Sequence, residues 1–160
     1  MKQLMKSMVD ESGQLMAVEC FYYIDLPTEI GFIKLAFEQN NYFVVATEED
    51  SLEVTDNVAS LFEADEFKRV DLSHRSPWQS AIGKPVRWIW TMVNQQGYLD
   101  GLQFEFANDI TQKPVVLQLI AMASGINIYK RISLSQPKIK KPLINEKSHD
   151  NEERVMDVVA

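Results

Sequence analysis

Two neighbouring segments constrain the fold more than anything else in the chain. Val86–Val93 reads Val-Arg-Trp-Ile-Trp-Thr-Met-Val, and Tyr98–Phe106 reads Tyr-Leu-Asp-Gly-Leu-Gln-Phe-Glu-Phe. Both alternate with a period of two and are rich in β-branched and aromatic residues. Asn94-Gln95-Gln96-Gly97 supplies a turn between them, so the pair predicts a β-hairpin. Trp88 and Trp90 share one strand face with Val86 and Met92, and Leu102, Phe104 and Phe106 share a face on the second strand. The expectation is that these faces coincide and pack as core, the usual fate of aromatic stripes at strand spacing. Arg87, Gln103 and Glu105 then lie on the wetter face, where Arg87 and Glu105 can pair. Asp100-Gly101 inside the second strand signals a bulge or kink.

The hairpin belongs to a longer series. Pro114 precedes a strand at Val115–Met122, and Ser124-Gly125 turns the chain into another at Ile126–Ile132. Short connections make sequential strands antiparallel neighbours, so residues 86–132 read as a four-stranded meander. Upstream, Leu15–Ile24 reads as a strand, and Ile30–Glu38 with Tyr42–Thr47 as a second hairpin turning on Gln39-Asn40-Asn41. Short strands follow at Leu52–Thr55 and Phe67–Leu72. Leu4, Met5 and Met8 stand at helical spacing near the N-terminus. Residues 56–66 read as a loop or one helical turn carrying Val58, Leu61 and Phe62. Ser76-Pro77-Trp78-Gln79 resembles a capping box with Gly83 as a stop, which predicts a short helix over 77–82. The fold class expected is α+β and mostly antiparallel: a curved sheet, half-barrel or two-layer arrangement with one short helix.

A chain of 160 residues with 46% hydrophobic content can bury one core, and residues 1–132 are read as that domain. From Ser133 the composition changes. Pro137 and Pro142 flank three lysines, Lys138, Lys140 and Lys141, and a polar stretch leads to an apolar Val155–Val159. Residues 133–160 are expected to be a flexible or partner-docking tail. No apolar run reaches membrane-spanning length, and no secretory signal is visible. Cys20 is the single cysteine, so no intrachain disulfide forms. Together these readings point to the cytoplasm.

The formal net charge is −7, and Glu48–Glu66 contains eight acids without a Lys or Arg: Glu48, Glu49, Asp50, Glu53, Asp56, Glu63, Asp65 and Glu66. Such a stretch repels phosphates, which argues against nucleic acid. It attracts a basic protein and speeds encounter with one.

Signals for catalysis are weak. His74 and His149 are the only histidines. Cys20 with His74 would be the one thiol–base pair, yet Cys20 lies mid-strand, where a buried structural thiol is the common finding. One Cys and two distant His cannot close a zinc site, and the acidic stretch lacks calcium-loop spacing. Gly83-Lys84-Pro85 is not a phosphate loop. No catalytic residue, metal or cofactor is therefore expected.

The reading that best fits the sequence is a non-enzymatic interaction module using its acidic stretch against a basic partner. The alternative is a small-molecule binding domain or enzyme with an aromatic pocket around Trp78, Trp88, Trp90 and His74. A homodimer built on strand edges or on Val155–Val159 is a further possibility.

Overall fold

The structure is a computed structural model that describes residues 1–57, 59 and 64–131. The expectations for Val58, Leu61, Phe62 and Glu63, and for the tail beyond Arg131, fall outside these residues. Helix α1 (Lys2–Asp10) precedes β1 (Leu15–Tyr23), β2 (Ile30–Phe37), β3 (Asn41–Ala46), β4 (Leu52–Thr55) and β5 (Phe67–Asp71). The meander follows as β6 (Val86–Val93), β7 (Leu99–Phe106), β8 (Val115–Met122) and β9 (Gly125–Arg131). The strands form two antiparallel sheets, ordered β4-β3-β2-β1-β5 and β6-β7-β8-β9. The expected α+β, mostly antiparallel class is the one observed. Its form is two layers, and the described strands close no barrel.

The layers meet through the period-two faces of their strands. Val18, Cys20, Ile33, Leu35 and Val44 from one sheet and Leu102, Phe104, Phe106, Leu117 and Leu119 from the other are fully buried in a single cluster. Helix α1 closes one side. Met8 is buried, and Leu4, Met5 and Val9 pack against the cluster. A nine-residue helix is unstable alone in water, so this apolar stripe is what holds it.

One expectation about the central hairpin fails. Trp88 and Trp90 do not share a face with Leu102, Phe104 and Phe106; they are 57% and 44% exposed. The cause is a bulge. Val86 pairs with Phe106, but the next pairs are Trp88 with Glu105, Ile89 with Phe104 and Trp90 with Gln103. Arg87 is the extra residue, and one extra residue sends every later side chain to the opposite face. Ile89 rather than a tryptophan therefore turns inward. The Arg87–Glu105 pair does form, at 3.7 Å. The irregularity expected at Asp100-Gly101 is present as well, between the Met92–Gly101 and Val93–Leu99 pairs.

The helix expected over 77–82 is also absent. Only a 3-10 turn, Trp78–Ser80, forms there, and Ser76 makes no capping bond. Long-range bonds outcompete the local signal. Gly83 N–H donates to Leu15 O at 2.8 Å, and Leu15 N–H donates to Lys84 O at 3.0 Å. A bridge between Gln14 and Pro85 draws the chain straight into β6. Trp78 is pulled fully into the core, edge-on to Phe106.

An aromatic cluster lies instead on the outer face of the five-stranded sheet. Phe21 stacks on Phe32 at 4.1 Å, and Phe43 and Phe67 adjoin Phe32 at 6.4 and 5.1 Å. Glu19 borders the cluster and holds Lys34 and Arg69, each at 3.2 Å.

Candidate functional site

Four connections meet at one end of the molecule. The β1–β2 link brings Asp25 and Glu29, the β3–β4 turn brings Glu48, the 3-10 turn Ala64–Glu66 brings Asp65 and Glu66, and the β8–β9 turn brings Ala123 and Ser124. They surround a cleft of about 600 Å³. Backbone and side-chain bonds fix the rim. Ile24 N–H donates to Glu66 O at 3.0 Å, and Glu29 N–H to Leu26 O at 2.9 Å. Between the two sheets, Ser124 N–H donates to Asp50 Oδ1 at 2.9 Å. Asp50 takes a left-handed backbone (φ 52°), which Asp tolerates better than most residues, and Thr47 and Ser51 close the same turn.

Five carboxylates therefore line one opening, and among the described residues no lysine or arginine lines it with them. Their field reaches the neighbouring phenol. The Tyr23 hydroxyl is pushed up from its ordinary range, first by burial and then by Glu29, Glu66 and Glu48. Ile24 and Leu26 stand exposed on the same rim. The cleft thus joins negative charge to a small apolar lip. That combination suits lysine and arginine side chains, whose charged heads and aliphatic stems need both.

The acidic stretch read from the sequence is only partly gathered here. Glu48, Asp65 and Glu66 line the cleft, and Asp50 ties its rim. Glu49 is exposed on the same turn. Glu53 points outward from β4 opposite Val45. Asp56 lines a separate opening with Leu4, Glu11 and Tyr42 beside α1. Glu63 lies outside the described residues. Asp25 and Glu29, which complete the cleft, come from a turn far upstream; the acids flanking Leu26-Pro27-Thr28 were their only sequence signal.

The residues of the aromatic alternative are dispersed. Trp78 is fully buried, whereas Trp88 and Trp90 sit on the outer face of the other sheet. His74 is exposed beside Asp71. Cys20 is buried in the core, and burial pushes its thiol up to about 12, so it carries no thiolate at neutral pH. A thiol–base pair with His74 is not formed.

Among the described residues, no group of three or more His, Cys, Asp or Glu side chains has a metal-holding arrangement. Among the same residues, no helix is long and apolar enough to cross a membrane. No curated protein and no solved structure matches the chain. A family model does match, over residues 3–134, and the chain belongs to that family, DUF6334, a family of unknown function.

Proposed function

We propose that the protein is a non-enzymatic interaction module, and that its acidic cleft receives a lysine- or arginine-rich segment of a protein partner. One observation carries the reading: carboxylates from three separate connections converge on a single cleft, with no cation among the described residues that line it. Uncompensated like charges raise the energy of the free protein, and a basic partner relieves that repulsion as it binds. The exposed Ile24 and Leu26 add apolar contact at the rim. A cytoplasmic setting, inferred from the single buried cysteine, belongs to the same proposal.

The test is a titration of the full chain with a Lys/Arg-rich peptide at low and at high salt. Binding should weaken steeply with salt. Neutralising the cleft with Glu48→Gln, Asp65→Asn and Glu66→Gln together should abolish it. Neutralising Glu53 and Asp56, which lie elsewhere, should leave it in place. Equal losses from both variants would reduce the effect to general charge and defeat the reading.

A further inference from the structure

A second opening lies on the other side of Tyr23 and Ile24, and its chemistry is the reverse of the first. The two sheets meet mainly through β2, β3 and β4 against β7 and β9. β5 is the far edge of the wider sheet, and none of its residues is buried. Lys68 and Val70 of β5 pair with Tyr22 and Cys20 of β1, so they continue the inward face past the point where the opposite sheet covers it. The result is a cavity of about 310 Å³ lined by Tyr22, Pro27, Val70, Leu72, Lys68 and Arg75. That volume is at the small end for ligand pockets, roughly 300–1,000 Å³.

Both cations at this cavity lack a counter-ion among the described residues. The ion pairs present belong to Lys34, Arg69 and Arg87. Asp71, the nearest acid along β5, accepts the Ser73 N–H at 2.8 Å and has His74 and Arg69 as its charged neighbours. In a chain of net charge −7, two unpaired cations facing one partly apolar cavity form a local exception. A guanidinium offers a planar fork to carboxylate or phosphate, and an ammonium adds a second point charge. Val70, Leu72, Pro27 and the Tyr22 ring offer the apolar surface that such a ligand's body needs.

We propose that this cavity binds a small organic anion: one carboxylate or phosphate head held by Arg75 and Lys68, on an apolar body of one or two rings. The site is distinct from the acidic cleft and stands whether or not that cleft has a partner.

The experiment is an amide-resonance titration of the full chain with three probes: naphthalene-2-carboxylate, 2-naphthyl phosphate and the neutral naphthalene-2-carboxamide. At least one anion should shift Tyr22, Val70 and Leu72 and bind about tenfold or more tighter than the carboxamide. The tighter anion identifies the head group. Arg75→Gln and Lys68→Gln should each remove most of that preference while leaving carboxamide binding unchanged; both side chains are exposed, so the fold should tolerate them. Arg87→Gln, on the other sheet, should change nothing. Equal binding of all three probes, no shift at these residues up to millimolar concentrations, or a preference that survives both variants would overturn the proposal.

Discussion

Replacing Trp78 with phenylalanine should leave the protein almost as stable as before, although Trp78 is among the largest fully buried side chains. Its ring meets Phe106 edge-on at 6.4 Å and 77°. Its Nε1–H is buried with no acceptor among the described residues. Phenylalanine removes roughly 40 Å³, which at ~24 cal/mol per Å³ of cavity costs about 1 kcal/mol, with about 1 kcal/mol more in lost transfer energy. Against this, an unpaired buried donor costs about 1–3 kcal/mol, and the substitution eliminates it. The two effects oppose and are of similar size, so Trp78→Phe should fall within about 1 kcal/mol of the parent. Trp78→Ala keeps the relief but empties the site, and should lose about 3–5 kcal/mol. Urea unfolding followed by far-ultraviolet circular dichroism measures both, provided the m-values agree. A loss of about 3 kcal/mol or more for Trp78→Phe, at unchanged m, would mean that the indole N–H has a partner and that the reasoning is wrong.

Other expectations concern the β1–β5 seam and the core thiol. Ser73 Oγ accepts the buried Val18 N–H at 2.9 Å, so Ser73→Ala strands that donor and should cost about 1–3 kcal/mol in the same unfolding assay. Hydrogen bonds from Ser73 hold the Asp71 carboxyl below its ordinary 3.8, with smaller help from His74 and Arg69. The advantage of the parent over Asp71→Asn should therefore be complete above the unfolded value and fade as pH falls through the folded one; a pH-independent gap would contradict this. For Cys20 the sign is opposite. Its folded value of about 12 exceeds the ordinary 9.0, so the folded state retains a proton that the unfolded chain gives up. Its contribution should be lost as pH rises from 9 toward 12, and a thiol reagent at pH 8 should label the protein only after unfolding. Prompt labelling of the native protein would refute the burial.

The strand order from β6 to β9 was legible because each strand alternates and each connection is short, which leaves few competing pairings. The α1 stripe was legible for a similar reason: Leu4, Met5 and Met8 record one helix face. The orientation of Trp88 and Trp90 was not. Alternation gives a relative phase only, and nothing in Val86-Arg87-Trp88 announces that Arg87 is the bulged residue. The helix expected from Ser76–Gln79 does not form, because the pairing of Leu15 with the 83–84 backbone, a contact no local window contains, overrules the local signal. The acidic cleft was half legible. A run of carboxylates is visible in one dimension, but its convergence with Asp25 and Glu29, and the departure of Glu53 and Asp56, follow from which loops share an end of the sandwich. The cationic cavity left no trace in the sequence, because Lys68 and Arg75 acquire meaning only where β5 outruns the facing sheet.

That lone edge strand also sets a hierarchy of breakage. Among the described strands β5 is joined to β1 alone; the ring contacts of Phe67 lie on the outer face, and no β5 residue is buried in the sandwich interior. Peeling it away exposes far less oily surface than parting the sheets, so this margin should open at a fraction of the global unfolding cost and exchange its amides early. The same event would strip Lys68 and Val70 from one hollow and free Asp65 and Glu66 at the other, while the molecule as a whole stayed folded.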